Sequence, residues 1–334
     1  MIITLTPNPS IDRTLEIPAL VHGHVHRATG EHQEPSGKGV NVSRELTSNS
    51  VANVAILPLG GGEGEQLRSL RAAEGVNFDV VAISGSVRVN ISLTEPDGHA
   101  TKINAVGPQL SPAELDALTQ GLIDRVRPGD WVVASGSLPR GVDDNYYADI
   151  CQLVHQAGAR FALDSSGAAL AQGLPAGPDV VKPNIEELEG LVGHHVDTLH
   201  GVVNAARELL ERGARTALVS MGPDGALLVT QTTVVKGSAP AVNARSTIGA
   251  GDALLAGFMA AGGDGQKALR EALAWGTAAV SVEGSHVPVI TDDDRSGVRI
   301  DTDPALSRRL HRPTSLTSVA APGPATGQPM GSKS

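Results

Sequence analysis

A turn of small residues followed by an acidic residue is the feature of this sequence with the clearest chemical potential. Gly249, Ala250 and Gly251 stand directly before Asp252, and the apolar residues that follow are typical of a buried helix. Glycines let the backbone approach a ligand closely, and a helix N-terminus adds roughly half an elementary charge of positive potential. This combination is suited to hold the negative charge that develops on a phosphoryl group during transfer.

Asp252 has two interpretations at this position. Asp is favoured at helix N-termini because its carboxylate accepts hydrogen bonds from amides that have no partner within the helix. A carboxylate at the same place can instead act as a general base toward a bound hydroxyl group. The residue type alone leaves both open, so the surrounding elements have to be considered.

Short β-branched or apolar segments alternate with helical patterns along most of the chain. Strands are predicted at the segments that begin at Ile2, Val51, Trp131, Arg160, Asp179, Thr216 and Ala226. Apolar residues at helical spacing lie between them, for example from Ala113 and from Val202. This alternation predicts an α/β fold with a mostly parallel sheet and helices on both faces.

Two segments interrupt the alternation. Residues 12–35 and 86–106 have strand patterns with turns and no intervening helix, and Asp97 with Gly98 is a hairpin signal. We predict that they form a small β-sheet lid. From residue 296 onward Pro, Ser, Thr, Gly and Ala dominate, so few apolar residues remain for packing. The predicted organisation is one domain over residues 1–295 and a disordered tail over residues 296–334.

The composition disfavours several classes of partner. The 334 residues have a net charge of −10 and include only two Trp, two Tyr and three Phe. The chain therefore offers neither the basic surface nor the stacking platforms that nucleic-acid binding uses. No run approaches the roughly 18 apolar residues of a membrane span. Cys151 has no second cysteine to pair with and no secretory signal pattern is found, which predicts a cytoplasmic location.

Three other motifs suggest chemistry that their context disfavours. Gly37 and Lys38 lack the first glycine and the following Ser or Thr of a P-loop. The run GGGEGE lacks the spacing and the acidic partner of a dinucleotide site and is predicted to be a turn. His22, His24 and His26 would share one face of a strand, where they could hold a metal ion. An exposed lid strand with polar side chains is the preferred interpretation.

The segment TIGAGD, which starts at Thr247, resembles the second signature of the PfkB (ribokinase-type) carbohydrate kinases. Six further segments resemble that family in the same order, up to about residue 290: LTPNPSID, PSGKGVNVSR, SGSLPRGV, LDSSGAAL, VKPNIEEL and VSMGPDGALL. The resemblance implies a Rossmann-like, mostly parallel sheet with a small β lid. It also implies ATP as phosphoryl donor, together with Mg²⁺.

The resemblance assigns roles to the matching residues. Asp252 is the catalytic base, and Gly249, Ala250 and Gly251 form the anion hole. Substrate contacts are implied for Asp12, Gly37, Lys38, Asn41, Arg88, Asn90, Ser137 and Arg27. Contacts with ATP are implied for Lys182, Asn184, Ser220, Gly222, Gly225 and Thr247, and Glu187 is implied to position Mg²⁺, mostly through water. Taken as patterns alone, Asn184 and Glu187 can be explained by helix capping. The loop with Gly222 and Gly225 can likewise be explained by a hairpin turn.

Cations near the lid point to a phosphorylated substrate, since its phosphate must be neutralised away from the reacting end. Lys38 and Arg88 occur together in the 1-phosphofructokinase and tagatose-6-phosphate kinase branch of the family, and Arg27 is a further candidate. We therefore expect ATP-dependent phosphorylation of fructose 1-phosphate to fructose 1,6-bisphosphate. The alternatives are a tagatose-6-phosphate kinase, a 6-phosphofructokinase, a nucleoside kinase, which the two cations disfavour, and a catalytically silent sugar-phosphate sensor.

Lid sheets expose unpaired strand edges, which proteins usually cover. We therefore expect a homodimer joined through the lid.

Overall fold

Strands and helices follow one another in the computed structural model, which describes residues 1–240, 246–282 and 287–311. The strands are β1 (Ile2–Leu5), β2 (Ser10–Glu16), β3 (Gly30–Ser36), β4 (Asn53–Leu59), β5 (Phe78–Ala82), β6 (Arg88–Thr94), β7 (Ala100–Ile103), β8 (Trp131–Ser135), β9 (Arg160–Asp164), β10 (Val180–Val181), β11 (Ala217–Ser220), β12 (Ala226–Val229), β13 (Val234–Ser238) and β14 (Arg299–Asp301). The helices are α1 (Lys38–Ser48), α2 (Gly61–Ala73), α3 (Pro112–Ile123), α4 (Tyr146–Gln156), α5 (Gly167–Gly173), α6 (Ile185–Val192), α7 (Leu199–Glu211), α8 (Ala250–Ala260), α9 (Gly265–Val280) and α10 (Asp292–Ser296).

Ten of these strands form the main sheet, in the order β14-β13-β12-β11-β10-β9-β8-β1-β4-β5. The strands from β11 to β5 in this order run parallel, and β12, β13 and β14 pair antiparallel at one edge. Parallel strands need crossover connections, and the helices between them supply these connections. The predicted mostly parallel α/β sheet is therefore confirmed.

Side chains on the central strands alternate between two apolar cores, one on each face of the sheet. In β9, Phe161 and Leu163 lie in the core that helices α3 to α7 cover. Ala162, between them, lies in the core that α1, α8 and α9 cover. Because both faces are buried, the strands have continuous apolar runs rather than polar alternation. Helix α8 is packed between α1 and α9 in this second core, which fixes its N-terminus in place.

The other four strands form a small separate sheet in the order β3-β2-β6-β7. They lie at residues 10–36 and 88–103, in the two segments predicted to form a lid. Strands β6 and β7 are an antiparallel hairpin, and Gly98 in its turn has a φ of 89°, a left-handed conformation that favours glycine. Strand β2 enters the small sheet directly after β1 leaves the main one, so the two sheets meet at residues 6–9.

The tail predicted to start at residue 296 needs correction. Strand β14 extends the main sheet by pairing with β13, and residues up to 311 pack on α7. The pairing rests on backbone hydrogen bonds, which a composition rich in polar residues does not reveal. Residues 312–334 lie outside the described residues. No helix among the described residues is long and apolar enough to cross a membrane.

Candidate active site

Polar residues gather where the parallel strands of the main sheet end. Asp164 is the last residue of β9, Lys182 follows β10, and Ser220 is the last residue of β11. The carboxyl ends of parallel strands lie at one edge of a sheet, where such folds bind their ligands. A backbone bridge between Asn184 and Ser220 joins the last two of these strand ends.

Helix α8 begins at this edge with the predicted anion hole. Gly249, the N-cap, has a φ of 77°, a left-handed conformation that glycine adopts without strain. Among residues 1–240, 246–282 and 287–311, no acceptor is found for the amides of Gly251 and Asp252. Amides of a helix's first turn point outward, so they remain available to an anion. Gly251 lies beside Lys182, since a Cβ added to it would be 3.5 Å from Lys182 Nζ.

Asp252 lies in the first turn of α8 and is only 9% exposed. Asn41 on helix α1 donates a hydrogen bond from Nδ2 to Asp252 Oδ2 at 2.8 Å. Burial and the nearby negative charge of Asp164 raise the pKa of Asp252 to about 6, and the Asn41 bond opposes this rise. Asp252 does not cap α8 through its side chain, so the capping interpretation does not explain it. At neutral pH it is a carboxylate poised to accept a proton.

Two lysines converge on Asp164, which is fully buried. Lys38 Nζ lies 2.7 Å from Asp164 Oδ1 and 2.9 Å from Glu187 Oε1, and Lys182 Nζ lies 3.1 Å from Asp164 Oδ2. Burial alone would raise the pKa of Asp164, but Lys182 and Lys38 outweigh it and hold the pKa below its ordinary value. Burial likewise opposes the charge of Lys38, yet the two carboxylates raise its pKa. The network places two ammonium groups beside Asp252 without pairing either of them with it.

Glu187, the residue implied to position Mg²⁺, is a member of the capping box of helix α6. Asn184 Oδ1 accepts from the Glu187 amide at 2.8 Å, and Glu187 Oε2 accepts from the Asn184 amide at 3.0 Å. Its other oxygen binds Lys38. The capping interpretation is therefore correct. Since both carboxylate oxygens have partners within the protein, a contact with Mg²⁺ through water suits this residue better than direct ligation.

Asp12 lies in β2 at the start of the small sheet. Asn90 in β6 donates from Nδ2 to Asp12 Oδ1 at 2.9 Å, and Ser10 Oγ donates to the same oxygen at 3.0 Å. These bonds hold the carboxylate at the boundary between the two sheets. Asp12 Oδ2 appears in none of these bonds, which leaves an acceptor for the hydroxyl groups of a sugar.

Arg88, at the start of β6, uses its guanidinium to join two backbone segments. Nη1 donates to Ala105 O at 2.9 Å and Nη2 donates to Asn8 O at 3.1 Å. Burial lowers the pKa of Arg88, while Asp12 opposes this shift. Asn8 in turn donates to Ser137 Oγ at 3.3 Å. Arg88 and Ser137 are thus brought to the same side of the site.

The loop before α1 requires glycine at position 37. Gly37 has a φ of 127°, and a Cβ there would come within 2.9 Å of Thr6 Cγ2. The close packing brings the loop against the end of β1, which places Lys38 and Asn41 on the site side of α1. Gly222 and Gly225 also have left-handed φ values, of 55° and 90°, in the loop that follows Ser220.

Some predicted residues lie apart from this cluster. Arg27 is exposed in the loop between β2 and β3, and within the described chain it forms no hydrogen bond or ion pair with another predicted site residue. Thr247 is exposed, and its carbonyl accepts from the Ala250 amide at 3.4 Å. His26 Nε2 bonds the backbone of Val21, and no group of metal-binding side chains is found in the described part of the chain.

Sequence reasoning missed the role of Asp164. The residue stands within LDSSGAAL, a segment that resembles the family, but no function was assigned to it. An acidic residue directly at the end of an apolar strand, as in RFALD, was the available signal, because such a residue emerges at the ligand-binding edge. Its lysine partners are distant in sequence, so their pairing required the fold.

We predict that Asn41→Ala raises the pKa of Asp252 above its value of about 6, since the mutation removes the bond that favours the charged carboxylate. The measurement is a carboxyl ¹³C NMR titration of the Asp252 signal, assigned by its loss in Asp252→Asn. Asn90→Ala, which removes a bond to Asp12 instead, is the matched control and should leave Asp252 unchanged. An unchanged or lower pKa in Asn41→Ala would contradict the geometry described.

Comparison with known proteins agrees with this arrangement. Residues 5–292 match the model of the pfkB family carbohydrate kinases. A 1-phosphofructokinase of Rhodobacter capsulatus is 36% identical over 293 residues, which cover 86% of this chain and 92% of that protein. A Bacillus subtilis 1-phosphofructokinase is 34% identical over 260 residues, with 78% and 85% coverage. The crystal structure of phosphofructokinase-2 from Escherichia coli with substrates and products superposes with a TM-score of 0.81 at 32% identity, covering 88% of this chain and 97% of that one. The chain therefore belongs to the pfkB family of carbohydrate kinases.

Proposed function

We propose that this protein transfers the γ-phosphoryl group of ATP to fructose 1-phosphate and so forms fructose 1,6-bisphosphate. The observation that carries the proposal is the buried Asp252 carboxylate beside amides at the start of α8 for which the described residues supply no acceptor. A base next to an anion-binding helix N-terminus is what transfer of a phosphoryl group to an alcohol requires. The identities to relatives named 1-phosphofructokinase support the choice of sugar.

In the proposed reaction, Asp252 accepts the proton of the free primary hydroxyl of the sugar. The hydroxyl oxygen then forms a bond to the γ-phosphorus of ATP, and the bond from that phosphorus to the bridging oxygen breaks, so ADP leaves with the electron pair. The amides of Gly251 and Asp252, together with Lys182, stabilise the charge on the transferring group. Positioning and electrostatics supply most of the rate, and the base adds on the order of 10²- to 10⁴-fold.

MgATP enters the proposal as the second substrate. We propose that ATP contacts the loop after β11, with Ser220, Gly222 and Gly225. Asn184, which is bridged to Ser220, and the exposed Thr247 are proposed as further contacts. Backbone amides and glycines suit phosphate and ribose because they allow close approach. Glu187 would orient Mg²⁺ through water, as its engaged oxygens require. A magnesium ion keeps much of its hydration shell in such sites.

The sugar phosphate is proposed to lie between the small sheet and α1. Asn41 is buried, and its Oδ1 has no donor within the described chain, so it can accept a hydroxyl group of the sugar. Asp12, held by Asn90, offers a second acceptor. Arg88 and Ser137 both bond Asn8, and we propose that the 1-phosphate of the sugar binds beside them, away from the reacting hydroxyl group.

We expected Lys38 to contact the substrate, but its ion-pair partners are two carboxylates of the protein. Its ammonium group lies between the carboxylates of Asp164 and Glu187, so a large part of its charge is already balanced. We therefore propose that Lys38 holds the acidic network together beneath the reacting groups. We propose that Arg27, which is exposed on the lid, contacts the substrate phosphate when the lid closes over the sugar.

An ADP-release assay with three candidate sugars tests the substrate assignment. We expect kcat/KM for fructose 1-phosphate to exceed that for fructose 6-phosphate and tagatose 6-phosphate by about tenfold or more, which corresponds to one charged contact. Asp252→Asn assayed beside the wild type shows whether the released ADP comes from this site. A preference for either 6-phosphate would reassign the substrate, and no ADP release with any sugar would favour the sensor.

We propose that the protein is a homodimer joined through the lid. Strands β3 and β7 are the open edges of the small sheet, and Val25, Ile103 and Val106 expose apolar side chains on or near it, with Val25 89% exposed. Unpaired strand edges beside apolar groups favour association. Sedimentation velocity at micromolar concentration should give a dimer for the wild type and a monomer for Ile103→Lys. A wild-type monomer would refute the proposal.

A further inference from the structure

The loop that follows β11 contains a buried carboxylate. Asp224, the last residue of the 3₁₀ turn Gly222–Asp224, is 1% exposed. Its Oδ1 accepts from Arg308 Nη2 at 3.1 Å and from His311 Nδ1 at 2.8 Å, and its Oδ2 accepts from the His311 amide at 2.6 Å. All three donors come from one short segment near the C-terminus, residues 305–311, which we call the C-terminal strap.

The strap is docked on the start of helix α7. The amides of Leu199 and His200, in the first turn of α7, donate to the carbonyls of Arg308 and Leu306, each at 2.9 Å. These amides have no partner inside the helix, so the strap satisfies groups that would otherwise need water. Leu306 and Leu310 pack against the apolar core on this face of the sheet. The strap therefore has its own anchorage, independent of Asp224.

The turn depends on the strap for its electrostatic balance. Burial would raise the pKa of Asp224, but the bonds from His311 and the charge of Arg308 outweigh it and lower the pKa. A buried carboxylate that loses its donors is strongly unfavourable, so the turn would shift to bring Asp224 toward water. Lys236 lies close enough to take part in this balance, since burial and the charge of Arg308 lower its pKa while Asp224 opposes that shift.

The same turn shapes the loop assigned to ATP. The Met221 amide donates to the Gly225 carbonyl at 2.8 Å, and the Gly225 amide donates to the Gly222 carbonyl at 3.0 Å, which closes the loop on itself. Asp224 and Met221 are buried side chains of this loop, and Asp224 is the charged one, whereas Gly222 and Pro223 are exposed. Movement of Asp224 would therefore displace the glycines on which close approach of the nucleotide depends.

We infer that Asp224 is a positioning residue, through which the C-terminal strap holds the nucleotide loop in its binding conformation. The inference rests on the proposed function, because it takes the loop after β11 to contact ATP. Asp224 does not touch the reacting groups in this account. It acts through the loop, so its loss should affect ATP more than the sugar.

Arg308→Ala tests the inference without altering Asp224, whose own replacement could prevent folding. We expect KM for ATP to rise about three- to tenfold, because the lost partner is half exposed, while KM for fructose 1-phosphate stays within about twofold. Arg308→Lys should recover part of the loss because it restores a donor and a charge. Arg309→Ala is the matched control, since this neighbour shows no side-chain bond within the described chain and should leave both constants unchanged.

Hydrogen exchange of the amides in residues 219–227 separates this inference from the proposed function. In the absence of nucleotide, the loop should exchange faster in Arg308→Ala than in the wild type and in Arg309→Ala. Unchanged exchange and an unchanged KM for ATP in Arg308→Ala would overturn the role of the strap. In the wild type, a magnesium complex of a non-hydrolysable ATP analogue should protect these amides. Faster exchange in Arg308→Ala, with no protection of the wild-type amides by the analogue, would support the role of the strap. It would refute the assignment of this loop to ATP.

Discussion

Two buried carboxylates that differ in their partners are the constraint around which this site is built. Asp164 pairs with two lysines, which keep its pKa low, whereas Asp252 accepts a hydrogen bond from the neutral amide of Asn41 and has a pKa that burial and Asp164 raise to about 6. The difference in environment gives the two groups different tasks. Asp164 remains charged and holds the lysines in place. Asp252 keeps enough basicity to take a proton at neutral pH.

The fold explains why these groups can meet. Asp164 and Lys182 are fixed by the ends of adjacent parallel strands, and Lys38 and Asn41 come from one face of α1. Helix α1 packs against α8, which bears Asp252 at its first turn. Each element is buried on the face away from the site, so small displacements of the charged groups would be resisted by core packing. The positioning of the base therefore depends on both cores of the sheet.

The sequence predicted the central strands, the small sheet and Asp252, because these have local signals. Apolar runs indicated β1, β8 and β9, and the TIGAGD segment indicated the anion hole. The partners of Lys38 were not predictable in this way, since 126 and 149 residues separate it from Asp164 and Glu187. The strap was misjudged for a related reason. Its composition suggests disorder, but its structure rests on backbone bonds to α7 and on the distant Asp224.

The central claim is that the Asp252 carboxylate removes the proton from the sugar hydroxyl during phosphoryl transfer. Its most direct test is kcat of Asp252→Asn, measured together with the dissociation constants for fructose 1-phosphate and for a non-hydrolysable ATP analogue. Asn preserves the size of the side chain and an acceptor for Asn41, so both dissociation constants should stay within about threefold of wild type. The account predicts that kcat falls by about two orders of magnitude or more. A mutant that retains wild-type turnover with intact binding would contradict it.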